Sequence, residues 1–120
     1  MTETIRKAVL AAKAADDKKG EGIVVLDLKG ICTFADAFVV VTGASNLQLK
    51  ALTESVRMAL KEAGHGNAVV DGDRQSSWIV MDYGDLLVHL MSPESRSYYR
   101  LEDLWGDGKM VEWQEAVGAG

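Results

Sequence analysis

A chain of 120 residues, 48% hydrophobic and 26% charged, is the size of one domain and has enough apolar residues to bury a core. Its net charge is −5 and no Lys/Arg cluster is longer than the pair Lys18-Lys19. Phosphate-binding faces are basic, so this balance argues against direct DNA contact, leaves little or no direct RNA contact, and favours a basic protein surface as partner.

Residues 3–18 read as the first helix, with Ile5, Val9 and Ala12 on one stripe, Thr2 or Thr4 as cap, and Gly20 and Gly22 as the stop. The stripe is thin and alanine-rich, which predicts light packing. Gly22 to Leu28 and Ala37 to Gly43 are β-branched runs, the pattern of strands covered on both faces, and the short link between them lets them pair directly. Ser45 and Gln48 form a capping box, and Leu49, Leu52, Val56, Leu60 and Ala63 recur at helical steps, which predicts a helix over 46–63 closed by Gly64. A short strand, Ala68 to Asp71, precedes the polar loop "DRQSS". "SWIVMDY" and "DLLVHLM" follow as a hairpin joined at Gly84. Ser92-Pro93-Glu94 starts a last helix, with Leu101, Leu104 and Trp105 as its stripe before Gly106. The order α-β-β-α-β-β-β-α predicts an α/β (α+β) layer fold, a mixed sheet of about five strands with helices packed on it. Residues 1–106 form its single domain, and 107–120 are a partly ordered tail.

The stretch "MDYGDLLVHL" gathers Asp82, Tyr83, Asp85 and His89. A two-residue turn at Tyr83-Gly84 pairs Asp82 with Asp85 and Trp78 with His89. A three-residue turn pairs Met81 with Asp85 and changes the grouping. An acid–base reading of this cluster lacks a nucleophile: Cys32 has no glycine elbow and Ser45 serves as a cap. His65 and His89 stand 24 positions apart without a metal-binding spacing, so neither a metal nor a cofactor is expected. "VVVTGASN" ends a strand on Gly43-Ala44-Ser45 and opens a helix, the step at which nucleotidyltransferases bind phosphate. Their Asp-x-Asp metal pair is missing here. Trp78, Tyr83, Tyr98, Tyr99 and Trp105 concentrate in the last third of the chain with Arg96 and Arg100. These are the residue types of binding hot spots, and equally of a core.

"VVLDL", "FADAFVVVTGASNLQLKAL" and "WIVMDYGDLLVHLMSPESRSYYRLEDLW" resemble the ribosomal silencing factor family, also called Iojap-related, over residues 5–106. The joined pattern D-Y-G-D-h-h-V-H and P-E-x-R-x-[FY]-Y-x-L-E-x-L-W, with h apolar, is specific. The resemblance implies a nucleotidyltransferase-like fold without the catalytic carboxylates. It also implies a non-catalytic translational repressor that binds the large ribosomal subunit through ribosomal protein 14 and blocks joining of the small subunit when nutrients run short. Carried over, the partner-binding residues are Trp78, Asp82, Tyr83, Asp85 and His89, with Arg96, Tyr99 and Trp105 in or supporting the contact. Arg96 has a structural alternative, pairing with an acid such as Asp82. The chain departs from the family pattern at Ala37 for a tyrosine, Ala35 for a threonine, Asp71 for a glutamate, Ser77 or Ser76 for the glycine before Trp78, and Met91 for a phenylalanine.

Two other readings stay open at this point: a nucleotide-binding or nucleotidyl-transferring enzyme using the Gly43–Ser45 turn, and a homodimeric scaffold. The chain is expected as a monomer or homodimer. With one cysteine it has no internal disulfide, as in a reducing compartment. It has no run of 18 apolar residues for a membrane and no signal-peptide core. Glu3, Asp16 and Asp17 are unlike an acid-poor transit peptide, so the expected location is cytoplasmic.

Overall fold

The structure is a computed structural model and describes residues 2–72 and 77–115. Along the chain run α1 (Glu3–Asp17), β1 (Glu21–Asp27), β2 (Ala37–Thr42), α2 (Asn46–Glu62), β3 (Val69–Asp71), β4 (Trp78–Asp82), β5 (Leu86–Met91), α3 (Pro93–Tyr99), α4 (Leu101–Leu104) and β6 (Lys109–Met110). The strands form one mixed sheet in the order β3-β4-β5-β2-β1-β6. Among the described residues only β2 and β5 pair in parallel; β1 pairs antiparallel with β2 directly, as the short link predicts. The sixth strand falls in the segment read as a tail. A two-residue strand has no periodicity to announce it, and β6 exists through its pairing with β1. Trp113 follows it into the core at 8% exposure, its indole donating to the Ile23 carbonyl at 3.3 Å. The loop "DRQSS", apart from Ser77, and residues 116–120 lie outside the described residues.

Both long helices cover one face of the sheet. α2 packs Leu49, Leu52, Val56 and Leu60 inward, as its periodicity predicts. α1 is not lightly packed. Ala8, Ala11, Ala12 and Ala15 have no accessible surface, because side chains this small let the helix lie close against the sheet. Thr2 is its cap, accepting from the Ile5 amide at 3.2 Å. Under the helices lie Val25, Val39, Val41, Met81, Leu86, Val88 and Leu90.

The capping box of α2 forms with a twist. Ser45 Oγ accepts from the Gln48 amide at 3.1 Å, but Gln48 reaches back to the amide of Ala44, at 2.6 Å, rather than to residue 45. Its side-chain NH2 then donates to the carbonyls of Lys18 and Lys19, tying the end of α1 to the start of α2. Gly43 lies close against α2: a Cβ there would stand 2.7 Å from Leu49 Cδ2. The polar groups of this turn are thus engaged in holding two helices together.

The last helix read from the sequence is two helices. Arg100 adopts φ 51°, ψ 54°, ending α3 and redirecting the chain so that Leu101 is buried. No glycine marks this break, so periodicity runs across it unnoticed; the Arg100 guanidinium bonds Asp103 at 2.7 Å.

Candidate functional site

The sheet face away from α1 and α2 is only partly covered, by α3, α4 and the 28–36 loop. Strand register lays its side chains out in rows. One row runs Val69, Asp82, Leu87, Phe38, Leu26, Met110. The next runs Asp71, Val80, His89, Val40, Val24, and a third holds Trp78, Met91 and Thr42. The rows are buried at their centre, where Phe38, Val40 and Met91 sit, and open toward β3, where Val69 is 73% exposed and Asp71 and Asp82 are exposed.

This register differs from both sequence alternatives. Tyr83 donates to the Leu86 carbonyl at 2.9 Å, so the bend is centred on Gly84-Asp85. Gly84, with φ 91°, takes the first central position, where a primed hairpin turn needs a positive φ. Asp82 therefore faces Leu87, Val80 faces His89 and Trp78 faces Met91. The shift from the two-residue alternative is two residues, which conserves faces. Trp78, Asp82 and His89 stay on one side, with Trp78 and His89 now diagonal neighbours.

A chain of rings crosses this face. Phe38 lies edge-on to His89 with centroids 4.7 Å apart, His89 neighbours Trp78 at 5.9 Å, and Trp78 packs on Tyr99 at 4.5 Å. Trp105 stands edge-on to Phe38 and to Phe34 at 5.9 and 6.0 Å. The chain surfaces at both ends, at Phe34 and at Tyr98 and Tyr99.

Each residue singled out from the sequence has a defined place. His89 is 5% exposed; its Nδ1 accepts from the Trp78 indole at 3.1 Å, which puts the ring proton on Nε2. Burial pushes its pKa down to about 4, so it is neutral near pH 7. Asp82 is exposed; one carboxylate oxygen accepts from the Gly84 amide at 2.7 Å and steadies the bend. Tyr83 turns the other way and packs against the helix-side core. Its hydroxyl is buried without a hydrogen-bond partner among the described residues, and burial raises its pKa against the opposing pull of Arg57. Asp85 also turns to the helix layer, bonding Thr4 and Lys7 of α1. Arg96 is structural in its contacts: it donates to Glu102 at 3.1 Å and to Thr42 at 3.0 Å, and its guanidinium lies over Gly22, 2.8 Å from where a Cβ would be. Its acid partner is Glu102, not Asp82. Tyr99 and Trp105 belong to the ring chain.

The face also holds residues that sequence reasoning missed: Phe34, Val69, Asp71, Val80 and Leu87. Alternation within β4 and β5 was the signal for Val80 and Leu87. Nothing local marks Phe34, whose loop is folded back by the Leu28 carbonyl accepting from the Ile31 and Cys32 amides. Among the described residues, no three His, Cys, Asp or Glu side chains cluster in a way that would hold a metal. No helix among the described residues is long and apolar enough to cross a membrane.

Fold and face together define a class: an α/β domain whose mixed sheet is sealed by helices on one side and presents aromatic, aliphatic and acidic groups on the other. Comparison with known proteins narrows this. Residues 1–119 match the model of the family described as "Ribosomal silencing factor during starvation". The ribosomal silencing factor of Halalkalibacterium halodurans is 38% identical over 90% of this chain and 92% of its own. That of Chromobacterium violaceum is 42% identical over 83% of this chain and 82% of its own. A crystal structure of a Chromobacterium violaceum protein superposes with a TM-score of 0.82 at 40% identity, covering 88% of each chain. The chain belongs to the ribosomal silencing factor family.

Proposed function

We propose that this protein is a translational repressor without catalytic activity. It binds the large ribosomal subunit through ribosomal protein 14, blocks joining of the small subunit and slows translation when nutrients are limiting. The observation that carries the reading is the open sheet face. Asp82 stands exposed in a row between Val69 and Leu87, with Val80, Asp71 and the ring chain beside it. An apolar platform edged by acids, on a chain of net charge −5, complements a basic protein surface with apolar patches. Family membership supplies the ribosome as the place to look for that surface. In this reading Trp78, Asp82, Tyr99 and Trp105 contribute to the contact. His89 and Arg96 support it from below, and Tyr83 and Asp85 hold the hairpin from the helix side. Repression then needs only a folded body seated where the small subunit must dock.

The test is co-sedimentation with isolated large subunits, followed by light scattering of subunit joining. The native chain is expected to pellet with large subunits and suppress joining. Asp82→Lys is expected to remain folded, since the side chain is exposed, and to bind about tenfold or more weakly, as close like-charge contacts cost 1.4 kcal/mol and upward at interfaces. Undisturbed joining in the presence of saturating native protein refutes the proposal.

A further inference from the structure

The two acids of the hairpin bend lie three residues apart, yet they meet different surroundings. Asp82 looks out on the open sheet face. Asp85 bonds the Lys7 ammonium with one carboxylate oxygen and the Thr4 hydroxyl with the other. Thr4 and Lys7 sit one turn apart on α1, and both are buried. Burial on its own would raise the Asp85 pKa; Lys7 and Thr4 outweigh it and hold the carboxyl below its usual value, so it is a carboxylate at neutral pH. The main chain of the same residue is also engaged: the Asp85 carbonyl accepts from the amides of Asp36 at 2.8 Å and Ala37 at 3.2 Å, where the parallel pairing of β5 with β2 begins. One residue thus fastens the bend to α1 by its side chain and to β2 by its backbone.

We infer that Asp85 is a positioning residue, and that its clamp to Lys7 and Thr4 sets the angle and register at which Asp82 and Leu87 are presented to a partner. This rests on the docking reading given above. The physical need is clear from the strand period. Leu86 faces the helices and Leu87 the open side, so a bend one residue longer or shorter would exchange them. The bend itself offers little resistance to such a slip: Gly84 has no neighbour within 4 Å of a Cβ position, and the Asp82–Gly84 bond is local to the bend. Besides the backbone pairing with β2, the side-chain restraint on the bend comes from α1, 78 positions away in sequence. It comes from the side opposite the docking face, where it adds nothing to the contact area.

The experiment titrates the full chain against isolated large subunits and, in parallel, follows hydrogen exchange of the Gly84 amide. Asp85→Asn, Lys7→Met, the two together and Lys7→Arg are compared with the native chain; circular dichroism checks that each is folded. Asp85→Asn and Lys7→Met are each expected to weaken binding about fivefold and to speed Gly84 exchange, with the double variant no worse than the poorer single, as coupled residues behave. Lys7→Arg, keeping the charge, is expected to bind like the native chain. Loss of binding on Asp85→Asn with Lys7→Met binding as well as native, and Gly84 exchange unchanged in both, overturns the inference and makes Asp85 a contact group. Unchanged binding in both singles while Asp82→Lys loses binding also overturns it. If Asp82→Lys too binds like the native chain, the docking reading fails; the Gly84 exchange rates then still decide whether the clamp sets the bend. If Asp85→Asn does not fold, Lys7→Met carries the test alone, and native binding and native Gly84 exchange by that variant refute it.

Discussion

Acidification to pH 5 will unfold this protein more readily through one histidine. His89 is buried among Phe38 and Trp78, and burial alone lowers its pKa from 6.5 to about 4. The unfolded chain therefore takes up a proton below pH 6.5 that the folded chain refuses until about pH 4. Stability from the neutral ring is complete above pH 6.5, falls through the interval, and levels off below pH 4. Over the whole interval the loss is about 3 kcal/mol, and between pH 7 and pH 5 it is about 2 kcal/mol, at 1.36 kcal/mol per unit. Asp85 acts with the same sign but in a lower window: its carboxyl is depressed below 3.8, so its contribution is lost only as pH falls beneath that value. The interval from 7 to 5 lies above that window, and comparison with a His89 variant isolates the share of this histidine. The assay is urea unfolding at both pH values, for the native chain and for His89→Gln. The native chain is expected to lose about 2 kcal/mol and the variant much less, although it starts lower for want of the ring packing on Phe38. Equal losses in the two chains would refute the reasoning, because they would show that His89 is hydrated and titrates as in water.

Two further substitutions probe packing outside the site. Ser77 holds a φ of 59°, a region that strains a side chain; Ser77→Gly is expected to raise unfolding stability by about 0.5–1 kcal/mol, and a loss would show that the hydroxyl matters more than the strain. Trp113→Ala removes a buried indole and the donor to the Ile23 carbonyl, at a cost of about 3 kcal/mol in urea unfolding; a change under about 1 kcal/mol would mean that the segment after β6 is detached in solution.

What was legible in the sequence was what local pattern controls. The capping box and three–four spacing gave α2, β-branched runs gave β1 and β2, and the D-Y-G-D-h-h-V-H pattern carried the resemblance that the comparisons bear out. What was not legible depends on partners far along the chain. The bend was misplaced by one residue because Tyr83-Gly84 and Gly84-Asp85 both put a glycine in a two-residue turn and both keep Leu86 and Leu87 on the same faces; what distinguishes them is the contacts of Asp85 with Thr4 and Lys7 and with the Asp36 and Ala37 amides, far along the chain. The depth of α1 was missed because alanine looks weak in a hydrophobic stripe, whereas against a sheet its small size permits close approach. β6 was missed because β1 alone defines it. The break at Arg100 was missed because an arginine, not a glycine, takes the left-handed conformation. The candidate site was half legible: alternation placed Trp78, Asp82 and His89 on one face, while the partners of Asp85 and Arg96 were hidden in α1 and α4.

A run with four polar residues in eight invites a chemical reading, and the fold explains the same residues without one. The His89 ring nitrogen that could take a proton already accepts from the Trp78 indole, and its other nitrogen is buried. The Tyr83 hydroxyl is sealed against the helix-side core. Asp85 is spoken for by Lys7 and Thr4. Asp82 gives one oxygen to the Gly84 amide and keeps an exposed carboxylate. Three of the four positions therefore shape and anchor the hairpin, and one is left with charge to offer. In the docking reading proposed above, complementarity rests on exposed acids on an apolar platform, and reversing the charge at position 82 tests it: the change alters what the face presents and, apart from the exposed bond to the Gly84 amide, touches no contact of the hairpin.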